Sequence, residues 1–478
     1  MLRVTALLLL LLLLFASPAL AEVRAPTEKP NVILILLDDA GYGDFEHTGH
    51  PTIATPNLTK LARGGATFTQ FYAASPACTA SRYSVLTGRY PSRSGLGTWV
   101  LGPKSKRHLH VKEFTLAEAF KDAGYATAML GKWHLGPPNE ANEFSPDAYP
   151  TAHGFDLWEG TNVSNDYDAA QLVRSTPDGD ELLHDEIASN AEIQSTLTRR
   201  LRDGAVAFIE DHADAPFFLY LAANMPHLPV HSSEPFRGKS KAGPYGDCIE
   251  ELDAMLGDVM QALVDHEIAE NTIIVFTSDN GPWIRFQDAA DHPKYGEART
   301  LVGSALPFRD GKGSTWEGGV RVPGVIRWPG QIPAGLVVRE MASTLDLMPT
   351  LLAMANLHPP TGRMIDGRDV GPMLTGAGDA TPFEFVYTGQ PDNRPYAICR
   401  GAWKLHVALS SQLGDDYGFK ASRERPLLFN VEHDVGERID RAAEQPASVA
   451  ELLEALSRYE ASLAKHGTFW DNAKQSQP

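Results

Sequence analysis

Val32-Ile33-Leu34-Ile35-Leu36-Leu37-Asp38-Asp39 is an aliphatic run that ends on two carboxylates. A continuous apolar run of this length, with no polar alternation, suits a strand buried on both faces of a parallel sheet. The acidic pair then falls just past the carboxyl end of the strand, where open parallel sheets bind ligands.

The same arrangement recurs along the chain. The apolar span 125–130 is followed by Lys132 and His134, the span 216–221 by His227, and the span 273–277 by Asp279-Asn280. One such coincidence means little, but four point to a single site. Helical patterns lie between these runs. Residues 115–123 carry Leu116, Ala119 and Phe120 at helical spacing before Gly124, and 249–264 carry Leu252, Met255, Leu256, Val259, Met260 and Leu263 on one face. The alternation predicts an α/β fold: a large, mainly parallel sheet flanked by helices, spanning residues 22–380. Residues 376–382 read as a linker. The spans 383–387, 396–400, 403–407 and 427–430 then read as a smaller antiparallel sheet, covered by one helix near 448–465, so that 381–478 forms a C-terminal subdomain.

Composition bounds the function. The chain has 478 residues, 43% hydrophobic and 21% charged, enough for one large domain and a small one. A formal net charge of −18 argues against nucleic-acid or anionic-membrane partners. Arg3, the apolar stretch from Leu7 to Phe15, and Ala19-Leu20-Ala21 have the layout of a signal peptide over residues 1–21. That stretch is shorter than the ~20 residues of a spanning helix, which predicts export without stable membrane insertion. A periplasmic or secreted location is expected, or a lysosomal one in a eukaryotic host. With Cys78, Cys248 and Cys399 as its cysteines, the chain is no disulfide scaffold; only Cys248 and Cys399 are left to pair if Cys78 is consumed chemically. Sequons stand at Asn57 and Asn162.

Asp38, Asp39, Asp279 and Asn280 offer only hard oxygen donors, which fits Ca²⁺ or Mg²⁺ and not zinc. Lys132 and Lys312 would be badly placed near that cation unless an anion lies between them.

The segment Cys78-Thr79-Ala80-Ser81-Arg82, followed by Thr87-Gly88-Arg89, resembles the sulfatase family of the alkaline phosphatase superfamily. Ala80 stands where Pro is commoner in the family. Gly131-Lys132-Trp133-His134, Ser278-Asp279-Asn280-Gly281 and Gly311-Lys312-Gly313 extend the resemblance over nearly the whole mature chain, and Gly318-Gly319-Val320-Arg321-Val322-Pro323 looks most like the arylsulfatase A and N-acetylgalactosamine-6-sulfatase branch. The resemblance implies hydrolysis of sulfate esters of aryl alcohols, glycans or lipids. Cys78 would be oxidised to formylglycine (3-oxoalanine) by a formylglycine-generating enzyme, and its hydrate would be the nucleophile. Asp38, Asp39, Asp279, Asn280 and position 78 would bind one Ca²⁺. Arg82 would fix the hydroxyls at position 78, while Lys132, Lys312 and Ser164 contact sulfate. His227 would protonate the leaving alcohol. A covalent sulfo-enzyme would then break down as His134 takes a proton from the second hydroxyl. The rival readings are a phosphonate or phosphate diester hydrolase of the same superfamily and a non-catalytic binder of sulfated glycans with Cys78 unmodified.

Lys104-Ser105-Lys106-Arg107-His108-Leu109-His110 is the densest basic stretch in this acidic chain. It reads either as a solvated surface loop or as a subsite for further anionic groups of a polymeric substrate.

Overall fold

The computed structural model describes residues 29–102, 105–136, 146–284, 302–375, 384–389, 393–412 and 417–471. The expected leader at 1–21, the linker at 376–382 and Lys104 lie outside the described residues.

The large sheet contains β1 (Asn31–Leu37), β2 (Ala66–Tyr72), β3 (Ala126–Gly131), β4 (Leu157–Thr161), β5 (Leu172–Thr176), β6 (Gly179–His184), β7 (Phe217–Ala222), β8 (Thr272–Ser278), β9 (Arg321–Arg327), β10 (Leu336–Val338) and β11 (Ala342–Ser343). Its strand order is β10-β2-β9-β8-β1-β7-β3-β4-β5-β6, with β11 beside β2. The centre, β8-β1-β7-β3-β4, is parallel throughout. The flanks turn antiparallel where β9 meets β8 and β2, and where β5 meets β4 and β6.

Alternate residues of β1 explain its unbroken apolar run. Val32, Leu34 and Leu36 enter one core cluster, with Phe120, Met129, Phe218 and Tyr220. Ile33, Ile35 and Leu37 enter the other, with Leu219, Leu221, Met255 and Leu256. These six apolar side chains of β1 are fully buried, each contributing about 1.5–3 kcal/mol relative to exposure. The register aligns the carboxyl ends: Leu37 pairs with Ser278, and Ala222 pairs with both Leu36 and Gly131. Asp38, Asp279 and Lys132 therefore leave neighbouring strands at one edge.

Helices Cys78–Thr87, Leu116–Asp122, Leu197–Asp211 and Gly243–Asp265 accompany this sheet. Thr115 caps the second through its side chain, which accepts from the Glu118 amide. The helix expected from residue 249 begins earlier, with Pro244 in its first turn. The small sheet has the order β12 (Glu384–Thr388), β13 (Pro395–Arg400), β14 (Trp403–His406) and β15 (Leu427–Asn430), antiparallel throughout, with helix Pro446–His466 after it. Phe385, Tyr387, Ile398 and Leu456 share a core cluster with Tyr72, Tyr90, Val320 and Leu345 of the larger unit.

Cys248 and Cys399 are both free and buried, so the pairing that the sequence left open is not made: one packs in the core around Ile249 and the other in the core under β13. Asn162 is fully buried and its amide donates to the carbonyl of Ala169, which leaves no room for a glycan. No helix among the described residues is long and apolar enough to cross a membrane.

Candidate active site

The strand ends bring the sequence-predicted residues into one buried cluster. Asp38, Asp39, Cys78, Arg82, Lys132, His134, Ser164, His227, Asp279, Asn280 and Lys312 are all at most 6% exposed. Two of them hold left-handed backbone: Asp39 at φ 66° and His134 at φ 56°. For residues other than glycine this costs on the order of 1–2 kcal/mol and persists only where the surroundings over-determine it. Here the Asp39 amide donates to Asp279 Oδ1 at 3.2 Å, and the His134 amide to the Asn162 carbonyl at 3.0 Å.

Cys78 opens the wholly buried helix Cys78–Thr87, whose first amides make its start favourable for negative charge. Its Sγ stands 3.7 Å from Asp39 Oδ1 and 3.2 Å from Lys312 Nζ. Lys312 also donates to Asp39 at 2.7 Å and lies 5.2 Å from the centre of the Trp283 ring. Arg82, one turn into the helix, donates to Asp279 Oδ2 at 2.8 Å and to the Lys132 carbonyl at 3.0 Å, and lies 3.4 Å from Asp38 Oδ1. Its guanidinium is thus engaged by the acidic cluster first, which makes it an anchor of the carboxylates. Lys132 donates to Asp38 and, at 3.1 Å, to Ser164 Oγ. Asn280 donates to Asp39 Oδ1 at 2.7 Å.

Hydrogen bonding fixes both imidazoles. His227 Nδ1 is 2.6 Å from the Leu228 carbonyl, which can only accept, so Nδ1 carries a hydrogen and Nε2 is the exchanging atom. Nε2 faces Asp39 Oδ2 and Ser164 Oγ, each at 3.5 Å. The tautomer of His134 is reversed: Nε2 meets the Leu101 carbonyl at 3.2 Å, and buried Nδ1 has no hydrogen-bond partner.

Burial and charge set the protonation states. Burial drives His134 well below the usual imidazole range, and Lys132 and Arg82 add to it. His227 is lowered by burial and Lys312, against Asp39 and Asp38. Burial opposes ionisation of Asp38, yet Lys132, His227, Arg82 and Lys312 hold it well below the carboxylate range. Asp279 is pushed up to about 7 by burial and by the like charge of Asp38.

Asp38, Asp39, Asp279 and Cys78 offer ligand atoms within 4.8 Å of one another, and the buried Asp38 Oδ1 and Asn280 Oδ1 lack hydrogen-bond partners. Crowded buried carboxylates with free oxygen acceptors fit a hard divalent cation, which would also reverse the upward push on Asp279.

Several contributors escaped the sequence reading. Thr79 accepts from the Leu101 amide and donates to the His134 carbonyl, both at 3.0 Å, thereby placing the loop that orients His134. Tyr167 meets the His134 ring edge-on, with ring centroids 5.6 Å apart. Tyr245 donates to buried Asp44 at 2.6 Å and reaches the Asp39 carbonyl at 3.5 Å. Thr79 lies inside the Cys78 motif, but Tyr167 and Tyr245 have no local pattern to mark them. In the basic stretch, Arg107 donates to the Gly95 carbonyl at 2.6 Å, pairs with Asp471 at 3.3 Å and lies over Trp470. It serves as a brace for the C-terminal segment.

The sulfatase family model matches residues 30–357. Arylsulfatase A of Bos taurus is 37% identical over 470 residues, covering 92% of this chain and 89% of the relative. N-acetylgalactosamine-6-sulfatase of Canis lupus familiaris is 34% identical over 498 residues, covering 95% and 89%. A solved sulfatase from Pseudoalteromonas sp. superposes with a TM-score of 0.79 at 27% identity, over 92% of this chain and 91% of its own. The buried Cys78 cluster and the family match over most of the chain together place this protein in the sulfatase family, as an enzyme of the sulfuric ester hydrolase class.

Proposed function

We propose that this enzyme hydrolyses sulfate monoesters with an oxygen nucleophile made by oxidising Cys78 to formylglycine, beside one Ca²⁺ held by Asp38, Asp39, Asp279 and Asn280. The observation that carries the reading is the setting of Cys78, in contact with both Lys312 and Asp39. As a thiol it is a poor nucleophile: burial pushes its pKa well up, against the pull of Lys132 and Lys312, and attack requires the thiolate. An aldehyde hydrate at the same place offers hydroxyls instead. Cys78 is fully buried, so the modifying enzyme must reach it before the chain folds. Modification ahead of folding fits a chain exported through a leader at 1–21.

When Asp38, Asp39 and Asp279 are ionised, their three charges balance those of Arg82, Lys132 and Lys312, which they face. A divalent cation leaves the site positive, which suits an anionic sulfate. When bound, that cation supplies Lewis acidity for the attack on sulfur. Lys132, Lys312 and Ser164 hold the sulfate oxygens and offset the charge that grows on them in the transition state. To act as the acid, His227 must carry a second proton at Nε2, which Asp39 and Asp38 favour; the departing alcohol oxygen takes that proton and leaves the neutral ring with its hydrogen on Nδ1. His134, kept neutral by burial, has Nδ1 as its free base. It takes the proton from the second hydroxyl of residue 78, so that sulfate is expelled and the aldehyde is restored.

The named activities of the relatives support aryl sulfates as test substrates and a sulfated sugar as the physiological class. The test compares release from a nitrophenyl sulfate with release from a nitrophenyl phosphodiester. Faster turnover of the sulfate is expected; faster turnover of the diester would place the enzyme with the phosphodiesterases of the superfamily.

A further inference from the structure

We infer that Gln412, from the C-terminal subdomain, is a positioning residue for Lys312. The inference rests on the reading of Lys312 as a sulfate clamp. Lys312 belongs to no helix or strand: it sits on a turn between β8 and the short helix Glu317–Val320. A long flexible side chain on a turn can be aimed only if the backbone beneath it is held.

That backbone is held from two sides. From the catalytic unit, the Lys312 amide donates to the Pro282 carbonyl at 2.8 Å, and the Gly313 amide to the Pro76 carbonyl at 2.9 Å. Pro282 lies two residues after Asn280, and Pro76 two before Cys78. From the C-terminal subdomain, three consecutive side chains reach the same turn. Ser410 Oγ donates to the Gly313 carbonyl at 2.6 Å, Ser411 Oγ to Asp310 Oδ2 at 2.6 Å, and Gln412 Nε2 to the Lys312 carbonyl at 3.1 Å. The other end of the Gln412 amide accepts from the Ile284 amide at 2.8 Å. A backbone amide can only donate and a carbonyl only accept, so both ends of Gln412 are oriented. One side chain thus joins the segment after Asn280 to the residue that carries the lysine.

The turn needs such support. Asp310 holds φ 63° and Gly313 φ 82°, and a Cβ on Gly313 would come within 2.8 Å of the Trp99 ring. A conformation this constrained persists only when its surroundings fix it. Side chains of the C-terminal subdomain thus brace the turn that carries Lys312 through hydrogen bonds.

The test is a double-mutant cycle between Gln412→Ala and Lys312→Ala, read as kcat and KM for a nitrophenyl sulfate with matched melting temperatures. Gln412→Ala is expected to lower kcat roughly 10-fold and to move KM much less, because a misplaced clamp loses transition-state contact first. In the Lys312→Ala background the same substitution should change kcat less than about twofold. Equal factors in both backgrounds would overturn the inference, as would an unchanged kcat for Gln412→Ala alone. Gln412→Glu keeps the acceptor for Ile284 and removes the donor to Lys312, so it should be as impaired as Gln412→Ala. Full activity in Gln412→Glu would likewise overturn the positioning role. Lys312→Ala at wild-type activity would instead remove the clamp reading beneath it.

Discussion

Lys312 Nζ lies 3.2 Å from Cys78 Sγ while also holding Asp39 at 2.7 Å, so one cation links the position of the nucleophile to the acidic cluster. Lys312→Ala should lower kcat for an aryl sulfate by about 10²–10³-fold, the range seen when one charge-stabilising donor is removed. Steady-state kinetics on the folded variant tests this, and a kcat within about twofold of wild type would remove Lys312 from the chemistry.

Asp279→Ala should abolish Ca²⁺ binding as well as turnover. It removes one hard donor and leaves Arg82 without its 2.8 Å partner. Calcium should raise the melting temperature of the wild-type protein and not that of the variant. An equal calcium shift in both would show that the cation binds elsewhere.

His153 gives the stability a pH dependence that is separable from catalysis. It is fully buried, and burial holds its pKa at about 4 against an ordinary 6.5. Between these values the unfolded chain takes up a proton that the folded chain refuses, so stability falls as pH falls through that window. From about pH 7 to about pH 5, wild type should lose about 2 kcal/mol more than His153→Phe. Urea unfolding at the two pH values measures this, and parallel losses in both proteins would contradict it.

The order of chemistry-bearing residues was legible because the central strands are buried on both faces, and sequence shows such strands as unbroken apolar runs. β1, β3, β7 and β8 lie within about a residue of where those runs placed them, and residues just beyond these runs meet in the buried candidate cluster. The flanking strands were not legible. The hairpin β5–β6 is mostly exposed along its second strand, Gly179–His184, so no apolar signal marks it. β2 and β9 run antiparallel at the other flank, and their placement depends on pairings hundreds of residues apart. Arg82 was legible as a site residue, but its partners depend on carboxylates from β1 and β8 meeting at one edge. Gln412 belongs to a coil with no periodicity, and only the packed structure shows what its amide bridges.

Lys404 should prove structural. It is fully buried between Glu317 at 2.9 Å and Glu437 at 3.3 Å, in a network that joins β14 to the start of the short helix Glu317–Val320. Lys404→Met leaves two buried carboxylates short of a cation and should cost about 3–5 kcal/mol of stability. Denaturant midpoints test this, and a loss below about 1 kcal/mol would mean that the network tolerates an apolar replacement.

Mass analysis of the peptide containing residue 78, taken from enzyme of measured specific activity, tests the oxygen nucleophile at that position most directly. Position 78 is expected to carry an aldehyde that reacts with hydrazides, in a fraction that rises in proportion to activity across preparations. Cys78→Ser is expected to show no sustained turnover, because its single hydroxyl can attack once but has no second hydroxyl to drive release. Fully active enzyme in which residue 78 is an unmodified cysteine thiol would contradict the oxygen nucleophile.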